Sequence, residues 1–534
     1  MTMMAPLMRS ITHGAPGRRD WRWVLSAAVP VVVLGLVAFA VRAVGVHSGF
    51  ELWVDEMVYS DLGNSVARGD LPNLPNGYFF LHPPGMFVVE GLVIKVFGLG
   101  DLDPASRVWA LRWLTITLGA LSVMLVFLIV QRIVGRLPAW FAAALMIFEP
   151  FVLRNNSRVF LETLGGLFVL VGLLALIHHI TAGGARDTRV LLPVTAGAFF
   201  GLAILTKDVY VLYVFLPVVA AIFWRKTLAM REALLVLAAT VTPYALYLLF
   251  LFAAGRLGGW VEAKAQGIAR MFGGNVTSGY NAEGAPSLVS RLIELVGHYG
   301  TSYALLAICP LAGILVVRSA RPERRMVGLT ALFMGAFGLY SAAFGTFEEQ
   351  YGYGIMLASI TAMAVAVVEA REQWPRVQRP VLVATSLFLV FAVALGVRTE
   401  LTTDNGFQQF HEWVAEGNLP ADAKVGVTNG TAHWMYARDP RFGVWVSPKE
   451  MRDAGAQYIL TQSLTTRQGY DYAVPGLIDW LEANATPVFR ADGPNNGATI
   501  LYRVDQPALD EGADADVAAS PDRNGGEIGV EAGG

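Results

Sequence analysis

The stretch "FELWVDEMVYSDLGN", residues 50–64, places two adjacent carboxylates, Asp55 and Glu56, directly after the first long apolar segment of the chain. Apolar residues recur at every fourth position from its start: Val54, Val58, Leu62 and Val66. This spacing predicts an amphipathic helix lying on a membrane surface, and Gly69 is placed to end it. Asp55 falls in the first turn, where the helix dipole favours an ionised carboxylate. The alternative is that Asp55 only caps the helix.

The composition is that of a membrane protein. The chain has 534 residues, of which 54% are hydrophobic and only 15% are charged. Soluble domains carry about 25% charged residues, and a helix needs about 20 apolar residues to cross a bilayer. We predict an α-helical polytopic protein with about eleven spans. They fall at 22–46, 107–131, 137–154, 163–181, 190–206, 208–224, 232–254, 299–317, 327–345, 352–369 and 380–397.

The orientation follows from the basic loops, because loops rich in Lys and Arg stay in the cytoplasm. These loops alternate along the chain, and the clearest contain Arg132 and Arg136, or Arg225 and Lys226. Residues 83–100 are apolar but short and carry charges, so we predict a juxtamembrane helix at the outer interface, or a re-entrant one. The N-terminus is then cytoplasmic, the C-terminus is outside, and the protein lies in the cytoplasmic membrane.

Four regions are predicted along the chain. Residues 1–21 form a cytoplasmic segment and 22–398 a transmembrane domain. Residues 399–505 alternate short apolar strands with helical pieces, which predicts a small extracytoplasmic α/β domain. Residues 506–534 are acidic and rich in glycine, so we expect a disordered tail. The single cysteine, Cys309, excludes a disulfide within the chain, and no basic stripe with interleaved aromatics indicates nucleic-acid binding.

Several polar residues fall in the predicted external loops. His82 precedes two prolines, and a local hydrogen-bonding role is its plain alternative. Arg158 and Glu162 are four residues apart, which would put them on one helical face at the membrane border, either as a surface ion pair or as a functional pair. Lys207 and Asp208 lie between two apolar runs and could form a structural ion pair with each other.

A late loop, "GTFEEQYGYG" (345–354), adds Glu349 and Tyr351, with a solvated hairpin tip as the alternative. One external face would thus gather carboxylates and cations near the lipid. This mixture suits a transfer reaction with an anionic lipid leaving group. An acceptor hydroxyl needs a carboxylate to take its proton, and a departing phosphate needs fixed positive charge or a metal.

The ordered motifs resemble a known family. An early span followed by "DEMVYSDLGNSVARGD" (55–70) and "HPPG" (82–85) is similar to the GT-C superfamily of polyprenyl-phosphate-dependent glycosyltransferases. Within that superfamily it looks like the family 39 type, which includes protein O-mannosyltransferases and the lipid A aminoarabinose transferase. "NNSRVFLETLGG" (155–166) and "GLAILTK" (201–207) resemble two further motifs of the family.

The resemblance implies a GT-C fold and roles for individual residues. Asp55, with Glu56 beside it, would supply the catalytic base. Arg158 and Lys207 would contact the donor phosphate, and Glu162 would contact it or hold a divalent cation. The remaining candidates for substrate binding are Tyr59, His82, Glu349 and Tyr351. The chain departs from the family where members often have Lys in place of His82, and where Asp208 follows the lysine instead of glycine.

We therefore expect a glycosyltransferase that moves a sugar, with inversion, from a polyprenyl-phosphate donor to an external hydroxyl. The acceptor could be a protein, a lipid or a glycan, and membrane lipid surrounds the site. One alternative is a transporter or flippase of lipid-linked sugar, which predicts ionisable residues near span midpoints. The other is a non-catalytic envelope scaffold, in which Asp55 would be replaceable.

Overall fold

The computed structural model of the chain describes residues 20–75, 77–182, 190–271, 284–343, 350–494 and 496–514, with the backbone alone at 20–27 and 270. The helices of the membrane part are α1 Asp20–Val44, α2 Val54–Ala67, α3 Gly85–Phe97, α4 Pro104–Val134, α5 Arg136–Phe148, α6 Pro150–Asn156, α7 Leu161–Thr181, α8 Leu191–Thr206, α9 Tyr210–Phe223, α10 Met230–Ala253, α11 Leu257–Met271, α12 Leu288–Val316, α13 Pro322–Ala343, α14 Tyr351–Gln373 and α15 Gln378–Leu401. Two short strands, β1 Asn73–Leu74 and β2 Gly77–Tyr78, pair between α2 and α3.

The C-terminal part is mixed. Its helices are α16 Gly406–Ala415, α17 Gly430–Met435, α18 Pro448–Ala454, α19 Ser463–Arg467, α20 Leu477–Asn484 and α21 Gln506–Asp514. Its strands are β3 Val425–Val427, β4 Phe442–Gly443, β5 Tyr458–Gln462, β6 Thr486–Ala491 and β7 Thr499–Arg503. The polytopic helical fold with a small α/β domain is therefore confirmed.

Each predicted span coincides with an apolar helix. Among the described residues, seven helices are long and apolar enough to cross a membrane, or eight if the bent pair α5 and α6 counts as one span. Three shorter apolar helices, Ala28–Val44, α8 and α9, occupy the other predicted positions. The total of eleven spans stays a prediction.

A sharp bend between α5 and α6 shapes one end of the bundle. The two helix axes meet at 63° across Glu149 and Pro150. Pro150 cannot continue the hydrogen-bond ladder of α5, and the Glu149 side chain accepts the N–H of Val152 at 2.8 Å to cap α6. The bend carries residues 157–160 under the first turn of α2, where the Val159 N–H donates to Glu56 at 2.9 Å.

The apolar segment 83–100 forms a helix that is not among the candidate membrane spans of the described residues. Its helix α3 has 13 residues, about 20 Å at 1.5 Å per residue, against a hydrocarbon core of about 30 Å. It packs closely along α2, since a Cβ on Gly91 would lie 2.9 Å from the carbonyl oxygen of Gly63. That α3 lies at the outer interface, or re-enters the membrane, stays a prediction.

The environment of α2 differs from the expectation. Its boundaries agree with the sequence pattern, and Gly69 follows it with φ of 93°. However, polar residues such as Glu56 and Ser60 are fully buried along with the apolar ones. The helix lies between the bundle and the C-terminal domain rather than on a free membrane surface, because that domain covers its other face.

The C-terminal domain is built on one sheet with strand order β4-β3-β5-β7-β6. β3 pairs in parallel with β4 and β5, while β7 pairs antiparallel with β5 and β6. Two backbone N–H groups join it to the membrane part: that of Asp404 donates to the Ser48 carbonyl at 2.7 Å, and that of Phe407 to the side-chain Oε2 of Glu51 at 2.9 Å. The domain thus lies at the end of the bundle that carries α2.

The predicted acidic tail begins differently from the expectation. Residues 506–514 form α21, which packs beside α18, and Leu509 is buried in the core of the domain. Disorder was expected from the composition alone, but the buried side chain of Leu509 is enough to hold this short helix against the core of the domain. Residues 515–534 lie outside the described part of the chain.

Candidate active site

Asp55 is held within the first turn of α2, at the end of the bundle. Trp53 occupies the N-cap position, so Asp55 does not cap the helix. The Asp55 side chain is only 7% exposed, and its Oδ2 accepts a hydrogen bond from the Gln350 amide Nε2. Gln350 immediately precedes α14, 295 residues further along the chain. The carboxylate is therefore oriented by a side chain from a distant segment.

Lys207 continues this line of polar contacts. Its Nζ donates to Oε1 of Gln350 at 2.7 Å and to Oε1 of Glu162. Lys207 follows α8 in an extended conformation, which turns its side chain away from the helix that precedes it. Four residues from four separate segments, Asp55, Gln350, Lys207 and Glu162, thus form one connected polar line.

Lys207 and Asp208, neighbours in sequence, bind different partners. Asp208 binds Lys264 of α11 and accepts the Tyr244 hydroxyl at 2.7 Å. Lys264 also donates to the carbonyl of Leu81 at 2.7 Å, directly before His82. The two neighbours serve different parts of the site: Lys207 faces Asp55, and Asp208 anchors α11 to the loop that carries His82.

Glu56 occupies a closed pocket of hydrogen-bond donors. Arg112 of α4 donates to its two oxygens at 2.9 and 2.7 Å. The backbone N–H groups of Val159 and Trp53 donate at 2.9 and 3.1 Å. This buried ion pair links α2, α4 and the segment after α6, so both carboxylate oxygens are occupied by the fold itself.

Arg158 is not on one helical face with Glu162, as the four-residue spacing predicted. α6 ends at Asn156 and α7 begins at Leu161, so the two residues do not share a helix, and Glu162 binds Lys207 instead. The Arg158 guanidinium is fully buried and lies 5.6 Å from the ring centroid of Trp53.

The three nitrogens of that guanidinium have no hydrogen-bond partner among the described residues. Burial lowers the pKa of Arg158 to about 10, which leaves it cationic at neutral pH. A buried cation is costly unless an anion or hydrogen-bond acceptors compensate it. Arg158 is therefore a ready contact for an anionic ligand.

Other buried polar atoms around Arg158 also lack partners within the described structure. They are Oδ1 of Asn155, Nδ2 of Asn156, Oγ of Ser157 and Oε2 of Glu162. Each such atom costs about 1–3 kcal/mol in a closed interior, and native proteins leave few of them. Their concentration in one short segment indicates a place where a polar ligand binds.

The remaining predicted residues surround this line less directly. The Tyr59 ring lies 6.0 Å from the His82 ring, and both pack among Phe79 and Phe87. The Tyr351 ring centroid lies 5.5 Å from Nζ of Lys207. Glu349 lies outside the described residues.

Sequence reasoning missed three residues that build the site: Gln350, Arg112 and Lys264. Arg112 had a signal, because a charge within an apolar span is costly and usually has a purpose. Gln350 stands between two predicted site residues, Glu349 and Tyr351, but a neutral amide carries no charge that would mark it as functional. Lys264 had no such signal in the sequence, because no helix or strand was predicted at 257–271.

The described residues do not fit a divalent cation. No group of three or more His, Cys, Asp or Glu side chains comes together among them. Lys207 is bonded to one oxygen of Glu162, and it lies between that carboxylate and Asp55.

The architecture is shared with solved membrane enzymes. The crystal structure of the oligosaccharyltransferase from Archaeoglobus fulgidus in the apo form aligns with 14% identity and a TM-score of 0.54, over 91% of this chain and 75% of that one. The same archaeal enzyme, AglB, in complex with an inhibitory peptide and a dolichol-phosphate aligns with 12% identity and a TM-score of 0.50, over 92% and 75%. ArnT from Cupriavidus metallidurans in the apo state aligns with 14% identity and a TM-score of 0.50, over 90% and 98%. The chain thus shares the fold of these enzymes.

A family model gives the more particular likeness. Residues 99–256 match the family described as dolichyl-phosphate-mannose-protein mannosyltransferase, over less than half of the chain. This segment includes Arg112, Arg158, Glu162 and Lys207. A search of curated proteins finds no match. The resemblance to the GT-C superfamily and its family 39 type is confirmed.

Proposed function

We propose that this protein is an inverting glycosyltransferase that moves a sugar from a polyprenyl-phosphate donor to the hydroxyl group of an acceptor. Asp55 is the catalytic base, and Lys207 and Arg158 face the phosphate of the donor. The family match and the GT-C fold support a transferase with a lipid-linked donor. A dolichol-phosphate bound to the archaeal neighbour supports the same donor class.

The line from Asp55 through Gln350 and Lys207 to Glu162 carries this proposal. It brings a base and a cation together in a mostly buried site at the end of the bundle that also carries the C-terminal domain. Low exposure strengthens electrostatic interactions relative to water. Among the described residues, this line is where the predicted base and one predicted cation meet, and the buried Arg158 lies against Trp53, the N-cap residue of the helix that carries Asp55.

The reaction is a single displacement. The acceptor hydroxyl gives its proton to the Asp55 carboxylate as its oxygen attacks the anomeric carbon. The bond between that carbon and the phosphate oxygen breaks, and its electron pair leaves with the polyprenyl phosphate. One displacement at one carbon inverts its configuration. The Gln350 amide donates to the other side of the carboxylate and holds it in place.

Two cations suit the departing phosphate for different reasons. Lys207 is already oriented by Glu162 and Gln350, so it needs little reorganisation to stabilise charge that develops nearby. Arg158 has three buried N–H-bearing nitrogens without partners, and its planar fork matches phosphate oxygens. Glu56 holds the loop of Arg158 against α2, so we assign it a positioning role in place of a catalytic one.

No step of the proposed reaction uses a metal ion. The archaeal oligosaccharyltransferase has been crystallised in complex with zinc and sulfate. In this chain the donor set around Glu162 includes the ammonium group of Lys207, which would compete with a cation for the same oxygen.

The direct test is sugar transfer in membranes with a panel of polyprenyl-phosphate sugars. The wild type should consume one donor of the panel, and Asp55→Asn should lower the rate about 10²- to 10⁴-fold, the range for loss of a general base. Asp70→Asn changes an exposed carboxylate near the end of the same helix and should keep wild-type activity. Wild-type turnover by Asp55→Asn would place the base elsewhere, and donor transport without transfer would favour a flippase.

A further inference from the structure

The C-terminal sheet has a switch point beside the active site. From β3 the chain passes through α17 to β4 on one side, whereas from β5 it runs through α19 and α20 towards β6 on the other. The carboxyl ends of β3 and β5, which are adjacent parallel strands, therefore lie where the connections diverge. In open α/β sheets this crevice is the usual place for a ligand.

Polar side chains converge at this switch point. Oδ2 of Asp471 accepts the hydroxyls of Thr428 at 3.1 Å and of Thr466, and the Thr465 hydroxyl oxygen lies 3.5 Å from it. Thr428 follows β3 directly, and the two other threonines belong to α19, which follows β5. Burial raises the pKa of Asp471 to about 7, against the lowering effect of these hydroxyls. The carboxyl group holds the two strand ends together.

One amide at the crevice is only half satisfied. Gln462, the last residue of β5, is 1% exposed, and its Oε1 accepts from Asn429 at 3.4 Å and from Thr465 at 3.2 Å. Its Nε2 has no hydrogen-bond partner among the described residues. A buried N–H group of this kind costs about 1–3 kcal/mol unless an acceptor reaches it. An oxygen of a ligand in the crevice would supply that acceptor.

The crevice adjoins the helix that carries the base. Gly430, which opens α17 directly after Asn429, lies so close to α2 that a Cβ there would be 2.6 Å from Cγ2 of Val54. Val54 is the residue before Asp55. The same position would be 3.2 Å from the Tyr472 hydroxyl, and the Tyr472 ring packs edge-on against His433. The helix that follows the crevice residue Asn429 thus packs directly on the first turn of α2, which contains Asp55.

We propose that this crevice binds the acceptor, and that the acceptor is a neutral glycan. Amides, hydroxyls and a carboxyl group offer the mixture of donors and acceptors that vicinal sugar hydroxyls require. A peptide would more readily add as a strand at β4 or β6, the edges of the sheet, than enter between two central strands. This inference rests on the proposed glycosyl transfer.

The test uses full-length protein in nanodiscs with neutral oligosaccharides of mannan, arabinan and galactan. Gln462→Met keeps the length of the side chain and removes the amide, so acceptor KM should rise about tenfold with donor KM unchanged. Asp471→Asn should act in the same direction, and calorimetric titration should show weakened oligosaccharide binding. Asp479→Asn, an exposed carboxylate of the same domain that pairs with Arg467, is the control and should match wild type.

The outcomes separate this inference from the proposed function. Transfer to a hydroxyl acceptor, with acceptor KM and oligosaccharide binding unchanged in both crevice variants, overturns the glycan site and leaves the transferase intact. Transfer to a peptide without any oligosaccharide binding does the same. Oligosaccharide binding that depends on Gln462, with no donor ever consumed, supports the site and overturns the transferase. Thermal unfolding of each variant identifies any loss caused by misfolding.

Discussion

Two buried arginines at opposite ends of the bundle have opposite surroundings. Arg324 near the start of α13 donates to Glu369 at 2.6 Å and to both oxygens of Glu372 at 2.6 and 2.9 Å. Arg158, beside α2, has no hydrogen-bond partner among the described residues and rests against aromatic rings. Both guanidiniums are almost completely buried.

The difference in hydrogen-bond partners distinguishes an arginine that holds the fold together from one that is available to a ligand. A buried charge that the fold pairs with opposite charges holds elements together, and Arg324 joins α13 and α14 in this way through Glu369 and Glu372. A buried charge that the fold leaves without a partner is expensive to keep, and such groups collect at functional sites. At the other end of the bundle, Glu56 is satisfied in the same way as the acids around Arg324, by Arg112 and two backbone N–H groups.

The largest expected effect is on stability at the satisfied end. Arg324→Met leaves Glu369 buried without its cation and should lower the free energy of unfolding by about 3–5 kcal/mol. Arg158→Met removes a cation that has no hydrogen-bond partner among the described residues, so the free energy of unfolding should fall much less than in Arg324→Met, while donor KM rises at least tenfold. Denaturant unfolding in mixed micelles measures the stability of each variant, and titration with donor measures its donor KM. If both variants lowered the free energy of unfolding equally, Arg324 and Arg158 would not differ in their structural role.

The adjacent carboxylates offer a second, smaller contrast. Glu56→Gln takes the charge from Arg112 and turns an amide N–H towards a backbone donor, so unfolding should cost about 3 kcal/mol less. Asp55→Asn should change the free energy of unfolding by no more than about 1 kcal/mol while it stops turnover. If Asp55→Asn unfolded as easily as Glu56→Gln, the assignment of Asp55 as a functional residue would lose its support.

A variant at Gln350 tests how much kcat depends on the orientation of Asp55 and Lys207. Gln350→Ala removes the amide that donates to Asp55 and accepts from Lys207, and should lower kcat about 10- to 100-fold without unfolding the protein. Gln373→Ala removes an amide at the other end of the same helix, where Gln373 donates to Glu369 at 2.8 Å, and should keep kcat. Equal rates for the two variants would show that the Gln350 contacts do not serve catalysis.

The smallest effect is a pH dependence at the junction of the C-terminal domain. Burial, and then the charge of Asp404, raise the pKa of Glu51 from 4.5 to about 8. A raised pKa means that the stabilising contribution is fully present below pH 4.5 and is lost as the pH rises through about 8. Unfolding temperature should therefore fall from pH 5 to pH 9, more shallowly in Asp404→Asn. The same slope in both proteins would exclude this pair as its source.

Local patterns predicted what depends on neighbours in sequence. The four-residue recurrence and Gly69 located α2, and short length with two charges set α3 apart from the predicted spans. The positions of Asp55 and Lys207 followed from motifs at the ends of spans. These features are set by nearby residues, so a single sequence carries them.

Partners across the fold were not predictable in the same way. Glu162 was expected to join Arg158, four residues earlier, but the break at Ser157 rotates the two apart and Lys207, 45 residues later, takes that place. Gln350 meets Asp55 across 295 residues, which only the packing of α14 against the bundle decides. The crevice at β3 and β5 likewise depends on strand order, and short strands do not reveal their order in sequence.

The most direct test of the central claim is a single turnover with donor already bound. Purified protein is loaded with the polyprenyl-phosphate sugar that the panel identifies, mixed with acceptor and quenched over time, and the bound lipid is analysed by mass spectrometry. Wild type should convert its donor to polyprenyl phosphate with an inverted product, while Asp55→Asn should hold intact donor. Equal conversion by Asp55→Asn, or a product with retained configuration, would contradict displacement driven by Asp55.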